Sequence, residues 1–379
     1  MGLLRVLAAA VLGLVSAAAE GSTAAELSGE HEGSTAEGST ARSFPPTTGW
    51  QPVLGDWNLP VLTADNTTWE KTAVQEPQVI YLPELKLMRM WYRGAGWGAP
   101  SGLGVADSTD NGKTWAKHKL NPVWGGTCPN KAEAAGQPWV YREAPDKYWL
   151  YTTTNGKPPQ VHIATSTDGL SWKNCSEGPF VNRSHVPSPR GGSVTGTLFG
   201  NRAVWKEAEG RWFMLQECGT SEGVWEIFLF KGKSALEWEV GNGGNPLKTL
   251  QRHTRSMFGG CHIATVNGEY APKNADGLYT IWYHAGANGN LPTDVYHATS
   301  PDLLNWTVTP NKPVISHRGT GAGFAYDQVA DPSPLVAGAN AFIAYDGDDN
   351  RAGATAHAAI GMGVASAVVP AETAIYHSK

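Results

Sequence analysis

Glu76 and Asp331 each stand immediately before a proline, and Asp327, Glu217 and the run Asp346-Gly347-Asp348-Asp349 supply further carboxyl groups. Two carboxyl groups brought to one opening can cleave a glycosidic bond. One protonates the leaving oxygen and the other acts as base or nucleophile. Crowding like charges raises the pKa of one of them, which keeps a proton donor protonated near neutral pH. Arg93, Gln137, Asn201, Arg202, His262, His284 and Asp346 are candidates to bind and orient a polyhydroxylated substrate beside such a pair.

These residues are far apart in sequence and can meet only if a repeated element gathers them. The runs Gln75–Tyr81, Leu87–Tyr92 and Gly102–Ala106 lead to Ser108-Thr109-Asp110-Asn111-Gly112-Lys113-Thr114-Trp115, and Pro122-Val123 follows. Each run is short, suits a strand and is bounded by turn formers. The pattern returns in Gln137–Tyr141, Tyr148–Thr152 and Val161–Ala164, then in Ala203–Lys206, Trp212–Gln216 and Trp225–Phe230. A fourth copy is Cys261–Val266, Leu278–His284 and Val295–Ala298, and a fifth is Ala330–Val336, Ala341–Tyr345 and Ala356–Met362. The anchors Glu76, Gln137, Asn201, Cys261 and Asp331 recur every 60 to 70 residues. Such a period, with four short strands per copy, predicts an all-β chain: a five-bladed β-propeller with four antiparallel strands per blade. The fifth copy lacks a fourth strand. Asn58–Leu62 resembles Asn311–Ile315 and is expected to close the last blade as an N-terminal strand, leaving no open edge.

In a propeller, strand-one starts, strand-two ends and the connectors between blades share one face. That face collects Glu76, Gln137, Asn201, Arg202, His262, Asp327 and Asp331 from strand-one starts, with Arg93, Asn155, Glu217, His284, Asp346, Asp348 and Asp349 from strand-two ends. Arg190 and Arg318 come from connectors. Plainer roles compete. An acid before proline can cap a turn, Glu217 adjoins Cys218, Asp346–Asn350 reads as a solvated turn, and the histidines can pack between blades. The Ser-x-Asp turns at Ser108 and Ser166 lie on the opposite face and are structural, so Asp110 and Asp168 are not catalytic candidates.

The ends and the composition bound the rest. Met1–Ala19 reads as a secretory signal, with an apolar run too short to span a bilayer, and 20–42 is a low-complexity leader repeating Glu-Gly-Ser-Thr. The remaining 43–379 is read as one domain. Cys128, Cys175, Cys218 and Cys261 suit two disulfides in a secreted chain, with three connectivities open. Sequons at Asn66, Asn174, Asn182 and Asn305 fit a glycoprotein. The net charge of −5 offers no basic patch for nucleic acid, and no later segment suits a membrane helix. A secreted, extracellular monomer is expected. No metal site or required cofactor is read, although the acidic mouth leaves room for an axial Ca2+.

Met90-Trp91-Tyr92-Arg93-Gly94, Ala164–Trp172 and Ala330-Asp331-Pro332-Ser333-Pro334-Leu335-Val336 resemble the five-bladed glycoside hydrolases, the superfamily of arabinanases, β-xylosidases, α-L-arabinofuranosidases, invertases and levansucrases. The resemblance covers about 50–362. It implies an Asp base or nucleophile, a second Asp that tunes, and a Glu proton donor. This chain departs from that pattern, with Glu76-Pro77, Gln137-Pro138 and Asn201-Arg202-Ala203 at the first three starts. The implied function is hydrolysis of plant or algal poly- or oligosaccharides. Asp331 and Glu76 would be the acid/base pair, Asp327 a tuning group, and Glu217 a further acid. The missing acids keep a non-catalytic, lectin-like propeller as the alternative. The Ser108–Trp115 box also fits sialidases, but five blades and the lack of an Arg-Ile-Pro segment disfavour that group.

Overall fold

The computed structural model describes residues 43–67, 69–95, 101–124, 135–154, 160–173, 199–219, 225–247, 258–286, 292–319, 324–349 and 358–368, all within one compact unit, Ala41–Lys379. The signal and leader segments, Asn155, Arg190, Cys128, Cys175 and the sequons at Asn174 and Asn182 lie outside the described residues. No helix among the described residues is long and apolar enough to cross a membrane.

The chain is all-β and runs as antiparallel meanders. The first comprises β2 (Ala73–Leu82), β3 (Leu87–Ala95), β4 (Gly102–Ser108) and the short β5 (Ala116–Lys117). The second is β6 (Ala135–Ala144), β7 (Lys147–Thr154) and β8 (Gln160–Ser166), and the third is β9 (Phe199–Lys206), β10 (Trp212–Gly219), β11 (Trp225–Gly232) and β12 (Trp238–Val240). β13 (Phe258–His262), β16 (Tyr279–Gly286), β17 (Thr293–Ser300) and β18 (Thr307–Val308) follow, with the hairpin β14 (Ala264–Val266) and β15 (Glu269–Ala271) between the first two. The last meander is β19 (Gln328–Ala337), β20 (Asn340–Asp348) and β21 (Ala358–Ser366).

The N-terminal segment pairs with this last meander. β1 (Gln51–Pro52) lies antiparallel to β21, with Gln51 opposite Val364, and Leu62 bridges to Ile360. The segment expected to close the sheet, Asn58–Leu62, thus contributes a bridge, and the longer pairing comes from Gln51–Pro52 upstream of it. Pairing at both places covers an edge that would otherwise expose unpaired N–H and C=O groups.

The inner strands are buried on both faces, which explains their apolar runs. Val74, Val79, Ile80 and Leu82 of β2 are all enclosed. Large aromatics fix one meander against the next. Trp91 donates through Nε1 to the Gly169 carbonyl at 2.8 Å, and Trp139 to that of Val204 at 2.9 Å. Arg89 grips Asp107 with two hydrogen bonds of 2.8 and 2.9 Å and donates to the Asp168 carbonyl at 2.9 Å. The Ser-x-Asp turns are structural as expected: Asp110 accepts from the Lys113 and Thr114 N–H groups, and the Trp115 indole donates to the Gly112 carbonyl.

One irregularity recurs on the first strand of each meander and positions the site. The ladder skips between Gln75 and Gln78, Gly136 and Trp139, Phe199 and Arg202, Gly259 and His262, and Ala330 and Ser333. The first residues of these bulges are Glu76, Gln137, Gly200, Gly260 and Asp331. Glu76, Gln137 and Asp331 have φ of 55°, 46° and 49°, a conformation costly for a side chain bearing a Cβ. A bulge re-aims the residue it carries.

Cys218 and Cys261 are free, buried thiols, which corrects the expectation that all four cysteines pair. Burial pushes both thiols well above their usual pKa, so they remain protonated.

Candidate active site

The bulge residues of the first and last meanders meet in one buried cluster. Glu76 accepts from Arg93 Nη1 at 3.0 Å, from the Gln137 N–H at 2.5 Å and from Gln137 Nε2 at 3.1 Å. Three donors on a group with about four lone-pair sites leave one site for a substrate or water. Asp331 accepts from Asn201 Nδ2 at 2.5 Å, and the Asn201 N–H in turn donates to Glu217 Oε2 at 3.0 Å. Five of the expected residues thus fall in two hydrogen-bonded groups, Glu76 with Gln137 and Asp331 with Asn201 and Glu217, and the Glu76 charge acts on Asp331 across them.

Two further residues complete the cluster from second strands. The Asp331 N–H donates to His284 Nδ1 at 3.0 Å. That nitrogen is therefore an acceptor, the ring proton sits on Nε2, and the 3.3 Å approach of Nδ1 to Asp331 Oδ1 is not an ion pair. Burial lowers the His284 pKa, opposed by Glu217 and Asp346, which agrees with a neutral ring. Asp346 and Asp331 hydrogen-bond through their carboxyl groups, which requires a proton between them.

Electrostatics separates the acids. Burial, then the nearby Glu76 charge, pushes Asp331 up to about 8, while Asp346, Arg93 and Asn201 pull the other way. Burial and the Asp331 charge raise Asp346. Asp348 is pushed up to about 8 by burial, then by Asp346, Asp327 and Asp349. Asp331 is thus a proton-bearing acid at neutral pH, beside a Glu76 whose oxygens are held by donors.

Glu217 occupies a place that the third meander leaves open. Gly200 is the bulge residue equivalent to Glu76 and has no side chain. A Cβ built there would fall 1.9 Å from Glu217 Oε2. The carboxylate of β10 fills the space that a bulge side chain fills elsewhere.

Three expected residues sit differently. Arg202 is buried and spends its N–H groups internally. Nε donates to Gln216 at 2.8 Å, Nη1 to the Gln137 and Tyr151 carbonyls at 2.7 and 3.1 Å, and Nη2 to the Gly200 carbonyl at 2.9 Å and to Thr153 Oγ1. It locks β9 to the second meander, which corrects its expected role as a substrate-orienting group. His262 is 2% exposed and packs edge-on to Trp139, with ring centroids 5.3 Å apart. Burial and His284 lower its pKa to about 3, so the ring is neutral. Asp327 lies against Asp348, its N–H 3.4 Å from the Asp348 carbonyl, and the acid hydrogen-bonded to Asp331 is Asp346. Among the described residues, no cluster of three or more His, Cys, Asp or Glu side chains is arranged to hold a metal ion.

Comparison with known proteins places this arrangement on a known fold. No family model and no curated protein sequence matches the chain. A glycosyl hydrolase from Bacteroides ovatus has a similar structure at 15% identity, with a TM-score of 0.55 over 86% of this chain and 99% of that one. The catalytic domain of the Coprinopsis cinerea GH62 α-L-arabinofuranosidase is similar at 13% identity, with a TM-score of 0.57 over 87% of this chain and 98% of that one. A structure from the GH130 family of mannoside phosphorylases, which contains glycoside hydrolases that target β-1,2 mannosidic linkages in Candida mannan, is similar at 17% identity. Its TM-score is 0.55 over 87% of this chain and 100% of that one. The chain therefore shares the β-propeller fold of these glycoside hydrolases.

Proposed function

We propose that the chain is a glycoside hydrolase built on a five-bladed propeller, each meander forming one blade and the N-terminal segment completing the last. Asp331 is the proton donor, kept protonated by burial and the Glu76 charge, Glu76 the base or nucleophile, and Asp346 a second acid hydrogen-bonded to Asp331. Asn201, Glu217 and His284 position Asp331, while Arg93 and Gln137 position Glu76. In the reaction Asp331 gives its proton to the glycosidic oxygen as the bond to the anomeric carbon breaks. Glu76 either takes a proton from the attacking water or bonds to that carbon itself.

The reading is carried by one observation. Two buried bulge residues from opposite ends of the sequence, Glu76 and Asp331, interact electrostatically, and burial with the Glu76 charge raises the Asp331 pKa to about 8. A buried acid, perturbed by a specific charge partner and held in costly backbone geometry, is typical of catalytic sites. The expected substrates are plant or algal poly- or oligosaccharides, met outside the cell by a secreted, monomeric enzyme.

A lectin-like propeller is favoured by a different observation, the amide of Gln137 at a bulge where Glu76 and Asp331 carry acids. Turnover decides between them. Pentose, hexose and fructose aryl-glycosides should include one that releases its aryl group with the native chain and not with Asp331→Asn. Full activity in the variant overturns the assignment, and sugar binding without any turnover supports the lectin.

A further inference from the structure

We propose a second carbohydrate-binding site, selective for sugar acids, in a cavity of about 340 Å3 between the N-terminal segment and the strand-to-strand connection 312–318. It shares no residue with the carboxylate cluster. Thr48, Trp50 and Trp57 line one side, and Lys312, Ser316 and Arg318 the other.

Charge selects the ligand first. Among the described residues, the ionisable side chains lining this cavity are Lys312 and Arg318, with no carboxylate. Lys312 is exposed, and the Arg318 guanidinium lies over the Trp57 ring, 4.9 Å from its centroid. That cation–π contact, with a hydrogen bond to the Tyr345 hydroxyl, fixes the guanidinium as a positive charge at the cavity wall.

A second observation is independent of charge. Trp50 is 7% exposed, lines the cavity, and its buried Nε1–H has no hydrogen-bond partner among the described residues. Trp57, Pro313 and Val314 give apolar wall, against which the C–H face of a sugar ring can lie, while threonine and serine hydroxyls meet its oxygens. A cavity near the lower end of ligand-site volumes, about 300–1,000 Å3, suits one or two sugar rings. The ligand defined by these groups is a hexuronate unit of an oligosaccharide.

The proposal goes beyond the catalytic reading and stands without it. Calorimetric titration of the full chain with tri-galacturonate should give saturable binding that Asp331→Asn leaves unchanged. Lys312→Glu, at an exposed position, should weaken it about tenfold or more. Trp50→Phe should weaken it as well, and thermal melting verifies that this variant is folded. Maltotriose, a neutral control, should bind much more weakly. Equal binding of maltotriose, unchanged affinity in Lys312→Glu, or no binding of tri-galacturonate overturns the proposal. Displacement by inorganic phosphate at equal concentration also overturns it, since that would mark a simple anion site. Loss of hydrolysis with retention of this binding would sink only the catalytic reading.

Discussion

Asn201 joins two acids from different meanders: its Nδ2 donates to Asp331 Oδ1 at 2.5 Å while its own N–H is held by Glu217 Oε2 at 3.0 Å. The Asp331 carboxyl is therefore aimed by residues 130 positions away in sequence, and Glu217 acts on it through the backbone of Asn201. Asn201→Ala is expected to lower kcat with little change in KM, because it frees the orientation of Asp331 without touching the sugar. Steady-state kinetics on the best aryl-glycoside checks this, and a rise in KM alone would contradict it.

Asp331→Asn keeps the shape and removes the proton. Loss of a general acid costs about 10²–10⁴-fold in rate. The fold should survive, since a neutral amide replaces a group that burial already disfavours as an anion. A melting temperature at or above that of the native chain, with the rate loss, is the expected pair of results. A cooperative loss of folding would show that the residue is mainly structural.

The same acid sets a pH dependence of stability with a definite sign. Asp331 is pushed up to about 8 in the folded chain, whereas an unfolded Asp titrates near 4. Between these values the folded state holds a proton that the unfolded state has released, so the unfolding free energy falls as pH rises. This contribution is fully present below about pH 4 and is lost as pH passes about 8. Asp348, also pushed up to about 8, adds the same slope. Subtracting the Asp331→Asn curve from the native one isolates the effect, and the native melting temperature should fall steadily relative to that of the variant over that window. Activity should fall through the same upper limit as the proton donor ionises.

Much of this was legible in the sequence, and a shift of register accounts for Arg202 and His262. The period of 60 to 70 residues located the inner strands, and the prolines after Glu76, Gln137 and Asp331 marked the strand starts at which the bulges lie. In the third and fourth meanders no proline marks the bulge, and the anchors Asn201 and Cys261 fall one residue beyond the equivalents Gly200 and Gly260. Arg202 and His262 therefore occupy the register of Gln78, Trp139 and Ser333, two residues past the bulge. Those three bind across to the next meander: Gln78 to the Val140 backbone, Trp139 to Val204, and Ser333 to the Val79 N–H. A shift of register changes which neighbours a side chain meets, and composition alone does not reveal it. The role of Glu217 was hidden because the signal for it is an absence, the glycine at position 200.

That glycine yields a sharp prediction. Gly200→Ala places a methyl 1.9 Å from where Glu217 Oε2 now lies, so the carboxylate must move and release the Asn201 N–H. Overpacking of this kind costs about 1–3 kcal/mol, and a small displacement of a catalytic group costs about a hundredfold in rate. Gly200→Ala with Glu217→Gln together should be little worse in rate than either alone, because both act through the same contact. Additive losses would show that Glu217 acts on the reaction independently.

Arg202 provides the contrasting case of a charged residue whose work is structural. Its guanidinium satisfies the carbonyls of Gln137, Tyr151 and Gly200 from within the wall behind the site. Burial lowers its pKa to about 10, opposed by Glu76 and other negative groups, so it stays charged at neutral pH. Arg202→Met would strand those carbonyls and remove a positive charge near Glu76. Breaking a buried charged network in this way costs about 3–5 kcal/mol. Arg202→Lys should recover little, because a single ammonium cannot serve groups spread around a planar fork. Chemical denaturation of the two variants measures this, together with KM for the folded fraction. Near-native stability with a raised KM would return Arg202 to the substrate-binding role that its charge suggested.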